Sequence, residues 1–203
     1  MKIRAGTVTE AHPESGDWVF VDVGFAKETR RTSGILVGDS DPVNCTFADL
    51  KSRLAKICRE SNEPLNLVLE APLSVAFSAN GNPAGRAVEK RSEQTRYWYV
   101  GLGCSVLVAA TYLLRSIHDQ RFDREIRLFE GLVSFKPTGK ASSHTDDVLL
   151  LRDIVWHKNP SVGRIVDADE LRMKHDDRLE SAFTVSGMDF GVPAIVMAGG
   201  GKI

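Results

Sequence analysis

The 203-residue chain is 42% hydrophobic and 26% charged, which suits a soluble α/β-sized core, and its length fits one domain over residues 1–203. A net charge of −1 excludes an overall basic field that would draw the protein to nucleic acid, so any such binding needs a local patch. Cys45, Cys58 and Cys104 form no CxxC pair or Cys/His cluster, which argues against a zinc site or a disulfide framework and fits a reducing cytoplasm.

Met1–Gly16 is polar without an apolar signal core and reads, like 199–203, as a flexible end. Asp17-Trp-Val-Phe-Val-Asp-Val-Gly-Phe25 follows, apolar at nearly every position, as in a strand buried on both faces. A carboxylate within such a run is costly unless it is paired or binds a cation, so Asp22 is the first candidate for chemistry. Gly24 leaves the backbone open to close approach. Lys27–Arg31 is a charged turn and Thr32–Gly38 a second strand, forming a hairpin with the first.

Asp39–Asn44 reads as a loop. Thr46 and Asp49 stand at capping-box spacing, and Phe47, Leu50, Leu54 and Ile57 form the apolar stripe of a helix that ends at Asn62–Pro64. Leu65-Asn-Leu-Val-Leu-Glu-Ala-Pro72 is the next buried strand, with Glu70 near its C-terminal end. A strand, helix, strand order with an acid at each strand end collects functional groups at one rim of a sheet.

Ser78–Thr95 is the least regular stretch. Arg86, Lys90, Arg91 and Arg96 give it a local positive excess suited to holding phosphates. Trp98–Leu114 is strongly apolar but, at about 17 residues, lies at the short limit for crossing a bilayer, and reads as a buried helix reaching about Ile117. Gly101-Leu-Gly103 lacks the remainder of a dinucleotide fingerprint and fits helix packing.

Glu125–Phe135 is a strand with Glu130 in its middle, and Ser143 and Asp146 cap a helix with Val148, Leu151 and Val155 on one stripe. Gly163–Asp169 offers a small strand or a loop. Asp176 reads as the N-cap of a last helix to about Phe190, whose start carries Asp176, Asp177 and Glu180, and Val192–Ala198 is a terminal strand. Asp22, Glu70 and Glu180 then stand on three separate elements. Acids far apart in sequence and gathered at one rim are what Mg²⁺ or Mn²⁺ requires, and two such ions about 4 Å apart stabilise an in-line phosphodiester displacement.

This order of elements resembles the ribonuclease H-like fold, a mixed sheet flanked by helices. More narrowly, the chain is similar to a family of predicted nucleases called domain of unknown function 429. The residues that carry the resemblance are Val21-Asp-Val-Gly24, Leu69-Glu-Ala-Pro-Leu-Ser74, Phe129-Glu-Gly-Leu-Val-Ser-Phe135 and Asp176-Asp-Arg-Leu-Glu-Ser-Ala-Phe183. Glu70 and Glu180 stand where the family more often has Asp. The resemblance implies a metal-dependent nuclease with Asp22, Glu70 and Glu180 as catalytic metal ligands and Asp177 as an auxiliary ligand. Arg86, Lys90, Arg91 and Arg96 would bind the nucleic acid, DNA or RNA. Two other readings stand beside it. One is a catalytically idle scaffold that assembles with itself or a partner protein. The other is a nucleotide enzyme of the actin and sugar-kinase type, for which 203 residues hardly hold the two domains required.

Overall fold

The computed structural model describes residues 2–24, 32–91, 94–95, 102–133 and 143–199. Its strands in chain order are β1 (Lys2–Ala5), β2 (Asp17–Asp22), β3 (Ser33–Val37), β4 (Val43–Cys45), β5 (Leu65–Glu70), β6 (Ser74–Phe77), β7 (Pro83–Ala84), β8 (Lys90–Arg91), β9 (Gln94–Thr95), β10 (Glu125–Leu132), β11 (Gly163–Val166), β12 (Arg178–Ser181) and β13 (Ile195–Ala198). The helices are α1 (Phe47–Glu60), α2 (Leu102–His118) and α3 (His144–His157). An eight-stranded mixed sheet runs β11-β13-β10-β5-β2-β3-β4, with β1 added alongside β10. Strands β2, β5, β10 and β13 are mutually parallel, while β3 is antiparallel to β2 and β4 antiparallel to β3.

The unbroken apolar run of β2 is explained by what covers it. Val19 and Val21 pack with Leu67 and Leu69 under α1 and α2, which contribute Leu50, Leu54, Ala110, Leu113 and Leu114. Trp18 and Phe20 point the other way and join Val68, Phe129 and, from α3, Val148, Leu151, Ile154 and Val155. Both strand faces are therefore dry, as the sequence leads one to expect, and period-2 alternation sends Asp22 and Glu70 to the α3 side. Among the described residues no helix is long and apolar enough to cross a membrane. From Leu102 onward the apolar segment is helix α2, with Ala109, Ala110, Leu113, Leu114 and Ile117 buried, while Trp98–Gly101 lie outside the described residues.

Helix α1 begins as its cap predicts: the Thr46 hydroxyl accepts the Asp49 amide at 3.1 Å. Helix α3 does the same with Ser143 and Asp146. Three expectations give way. Lys2–Ala5 is not a loose end, because it pairs in parallel with Glu125–Leu128 of β10. The Asp39–Asn44 loop runs directly into β4, a third antiparallel strand. No helix spans Asp176–Phe190: β12 pairs antiparallel with β6, and a single 3₁₀ turn, Thr184–Ser186, follows. The reason is local as well as tertiary. Gly187 and Gly191 adopt φ of 74° and 81°, which a continuing helix excludes, and the free edge of β6 offers Arg178–Ser181 a ladder.

Candidate metal centre

Asp22 and Glu70 are the last residues of adjacent parallel strands and are direct register partners. They project from one sheet face at the C-terminal rim, where side chains of α/β sheets converge. Across that face lies the first turn of α3. Among the described residues, one group of acids is drawn together: ligand oxygens of Asp22, Glu70 and Asp147 all lie within 4.8 Å of one another. Asp22 is 5% exposed and Asp147 6%, so neither charge is well hydrated. Three hard oxygen donors from three elements in a dry corner match the ligand chemistry of a divalent cation. A cation there offsets both their repulsion and their burial.

His144, one turn earlier on α3, closes the group. Its Nδ1 lies 2.7 Å from Oδ2 of Asp22, and since a carboxylate only accepts, Nδ1 carries the proton. This bond fixes the rotamer of Asp22, while the imidazole is 39% exposed and faces the rim. The approach of α3 depends on Gly34, the register partner of Asp22 on β3. A Cβ at Gly34 would stand 2.5 Å from the carbonyl oxygen of His144, so no other residue lets the helix start so close to Asp22.

The other residues expected at the site lie elsewhere. Glu180, a β12 residue in register with Val75, is ion-paired with Arg178 at 2.7 Å. Asp177 is spent on a turn: its carboxylate accepts the Lys174 amide at 2.8 Å, and its carbonyl accepts from Arg172. Neither belongs to the acidic group, because the segment is a strand rather than the helix that would have aimed them at the rim. Asp177 instead lines an open depression of about 630 Å³ with Asp169, Arg172, Lys174, His175 and Arg178, and none of the three clustered acids borders it.

Arg86 cannot hold a phosphate. It is fully buried, and Nη1 donates to Glu130 at 2.7 Å while Nη2 donates to Glu89 at 3.1 Å. Burial works against its charge, but the two carboxylates more than compensate and hold it protonated. Lys90 is exposed on the short strand β8; Arg91 is placed there by its backbone, and Arg96 lies outside the described residues.

Asp147 and His144 are the residues that the sequence reading passes over. A signal for Asp147 is present: it stands four before Leu151 and seven before Ile154, on the buried stripe of α3. An acid on an apolar stripe poses the same question as Asp22 on an apolar strand. Its neighbour Asp146, conspicuous as a cap, hides it. No protein-family model, curated protein or solved structure matches this chain.

Proposed function

We propose that the chain is a Mg²⁺- or Mn²⁺-dependent hydrolase of nucleic-acid phosphodiesters, built on a ribonuclease H-like sheet. The single observation that carries this reading is the gathering of Asp22, Glu70 and Asp147 within 4.8 Å at the ends of two parallel strands and the head of one helix. The order β4-β3-β2-β5-β10, with three antiparallel strands followed by two parallel ones and the first acid at the end of the leading strand, supports the fold assignment. Asp147 takes the place that the sequence reading gave to Glu180.

Within this reading Asp22, Glu70 and Asp147 hold the cation through carboxylate oxygens. A divalent ion held by these residues would supply Lewis-acid chemistry, polarising a phosphodiester and acidifying water. His144 keeps the Asp22 carboxylate in one orientation, so that little reorganisation is needed when substrate arrives. Its exposed edge can carry a proton between the reacting centre and solvent. Lys90, which is exposed, is the candidate for the phosphate backbone, and Arg91 and Arg96 belong to the same proposal.

The test is cleavage of single- and double-stranded DNA and RNA by the purified chain with Mg²⁺ or Mn²⁺, against EDTA. Asp22→Asn and Asp147→Asn abolish it, whereas Glu180→Gln and Asp177→Asn leave it. If the wild type cleaves none of these substrates with either metal, the enzyme reading fails. A second reading, a scaffold that assembles with itself or a partner protein, is favoured by one observation: Val108 and Tyr112, four apart on α2, are 44% and 67% exposed. Light scattering that finds a strict monomer which still binds Mn²⁺ counts against it.

A further inference from the structure

Behind the acidic group, on the opposite face of the sheet, lies a second set of ionised side chains that the proposed chemistry does not use. Glu130 is in register with Leu69 of β5, and Leu69 faces α1 and α2. Glu130, Arg86 and Glu89 are all 0% exposed. Oε2 of Glu130 accepts the Leu73 backbone amide at 2.8 Å and Nη1 of Arg86 at 2.7 Å. Nη1 also donates to the Ser74 hydroxyl at 2.8 Å, and Glu89 accepts both the Arg86 amide and Nη2.

A buried set of one cation and two anions is a poor way to stabilise a fold, since apolar side chains of similar volume often do as well or better. The set is not even fully satisfied: Nε of Arg86 and Oε1 of Glu130 lack hydrogen-bond partners among the described residues. What it grips is specific. Leu73 and Ser74 are the third and fourth residues after Glu70, at the point where the chain leaves the main sheet and turns into β6. The Ala71 amide folds back onto the Leu69 carbonyl at 2.8 Å, so the connection is short and taut. A carboxylate at the last position of a strand is only as well placed as the backbone beyond it.

We propose that Arg86 and Glu130 are positioning residues for the metal centre: they clamp Leu73 and Ser74 from behind and thereby set where the Glu70 carboxylate stands relative to Asp22 and Asp147. The inference rests on the proposed metal site and adds to it the means by which one of its ligands is held. Outer contacts of this kind typically change metal affinity by about 10- to 100-fold when removed.

The experiment is Mn²⁺ titration by calorimetry on the full chain, with thermal melting in EDTA run alongside. The double variant Arg86→Met/Glu130→Leu keeps volume and removes every charge of the pair. It leaves Glu89 buried without its cation, so it is expected to fold but melt below the wild type in EDTA, and to bind Mn²⁺ at least about tenfold more weakly, with kcat for cleavage falling and KM for nucleic acid unchanged. Should that variant not fold, Glu130→Gln and Glu130→Ala decide. Gln still accepts the Leu73 amide and holds affinity within about threefold, whereas Ala loses at least about tenfold. Unchanged Mn²⁺ affinity in a folded double variant, or Gln and Ala behaving alike, overturns the positioning role and leaves the metal site standing. A wild type that takes up no Mn²⁺ overturns the metal site itself, and the positioning role with it.

Discussion

Replacing Asp22 by Asn separates metal binding from fold maintenance. Ligand oxygens of Asp22, Glu70 and Asp147 lie within 4.8 Å of one another. Two unit charges at that separation repel by about 3.5 kcal/mol at an effective dielectric of about 20. Asp22 belongs to two of the three pairs, and the exchange keeps its hydrogen bond, because the Asn carbonyl still accepts from Nδ1 of His144. Relaxation and water entry reduce the gain, so the variant in EDTA at about pH 8, above the usual histidine range, is expected to be about 1–3 kcal/mol more stable than wild type. For a chain of this size that is roughly 3–10 °C in melting temperature. With Mn²⁺ at about 100 times its dissociation constant the wild type gains about 2.7 kcal/mol and the variant little, so the order reverses. Differential scanning fluorimetry in EDTA and in Mn²⁺ reads both. A variant destabilised equally under the two conditions would mark the carboxylate as a structural group and refute the reasoning.

Asp147→Asn is expected to lower cleavage by at least about a thousandfold while Glu180→Gln keeps it within about twofold, measured on one substrate at saturating metal. Equal losses would return Glu180 to the site. Gly34→Ala drives a methyl into the His144 carbonyl, so it should destabilise the chain by about 1–3 kcal/mol and weaken Mn²⁺ binding, both measurable by melting with and without metal. Arg86→Ala leaves Glu130 buried without its cation and should cost about 3–5 kcal/mol in urea unfolding, far more than an exposed arginine such as Arg121. The Arg4 guanidinium beside Glu10 holds that carboxyl down at about 2, against 4.5 ordinarily. A depressed folded-state value means stability that is present above about pH 4.5 and lost as pH falls toward 2. Urea midpoints of wild type and Glu10→Gln should therefore converge across that window, and a constant gap would contradict the assignment.

The sheet was legible wherever burial on two faces forced a continuous apolar run. Strands β2, β5 and β10 and their order around α1 follow from hydrophobicity and capping alone. So do two of the three clustered acids, Asp22 and Glu70, because a charge inside such a run advertises itself. Asp177 and Glu180 misled because acids at the head of a segment signal a helix cap whether or not a helix follows. The pairing of β12 with β6 is a long-range choice that no local pattern records. Arg86 misled for the converse reason: within a polar, glycine-rich stretch nothing marks one arginine as internal, since its partner Glu130 lies 44 residues away.

One edge of the eight-residue strand β10 is completed by two pieces of chain from opposite ends of the sequence. Lys2–Ala5 covers Glu125–Leu128, and Ile195–Met197 covers Glu130–Leu132. The two pieces are sewn together where the Ala194 amide meets the Gly6 carbonyl. During synthesis, then, the central strand emerges with half its flank open and stays so until Ile195–Ala198 has left the ribosome. An unfinished sheet margin of this kind invites the wrong strand. The late arrival of Ile195–Ala198 is the step that seals the molecule against its neighbours.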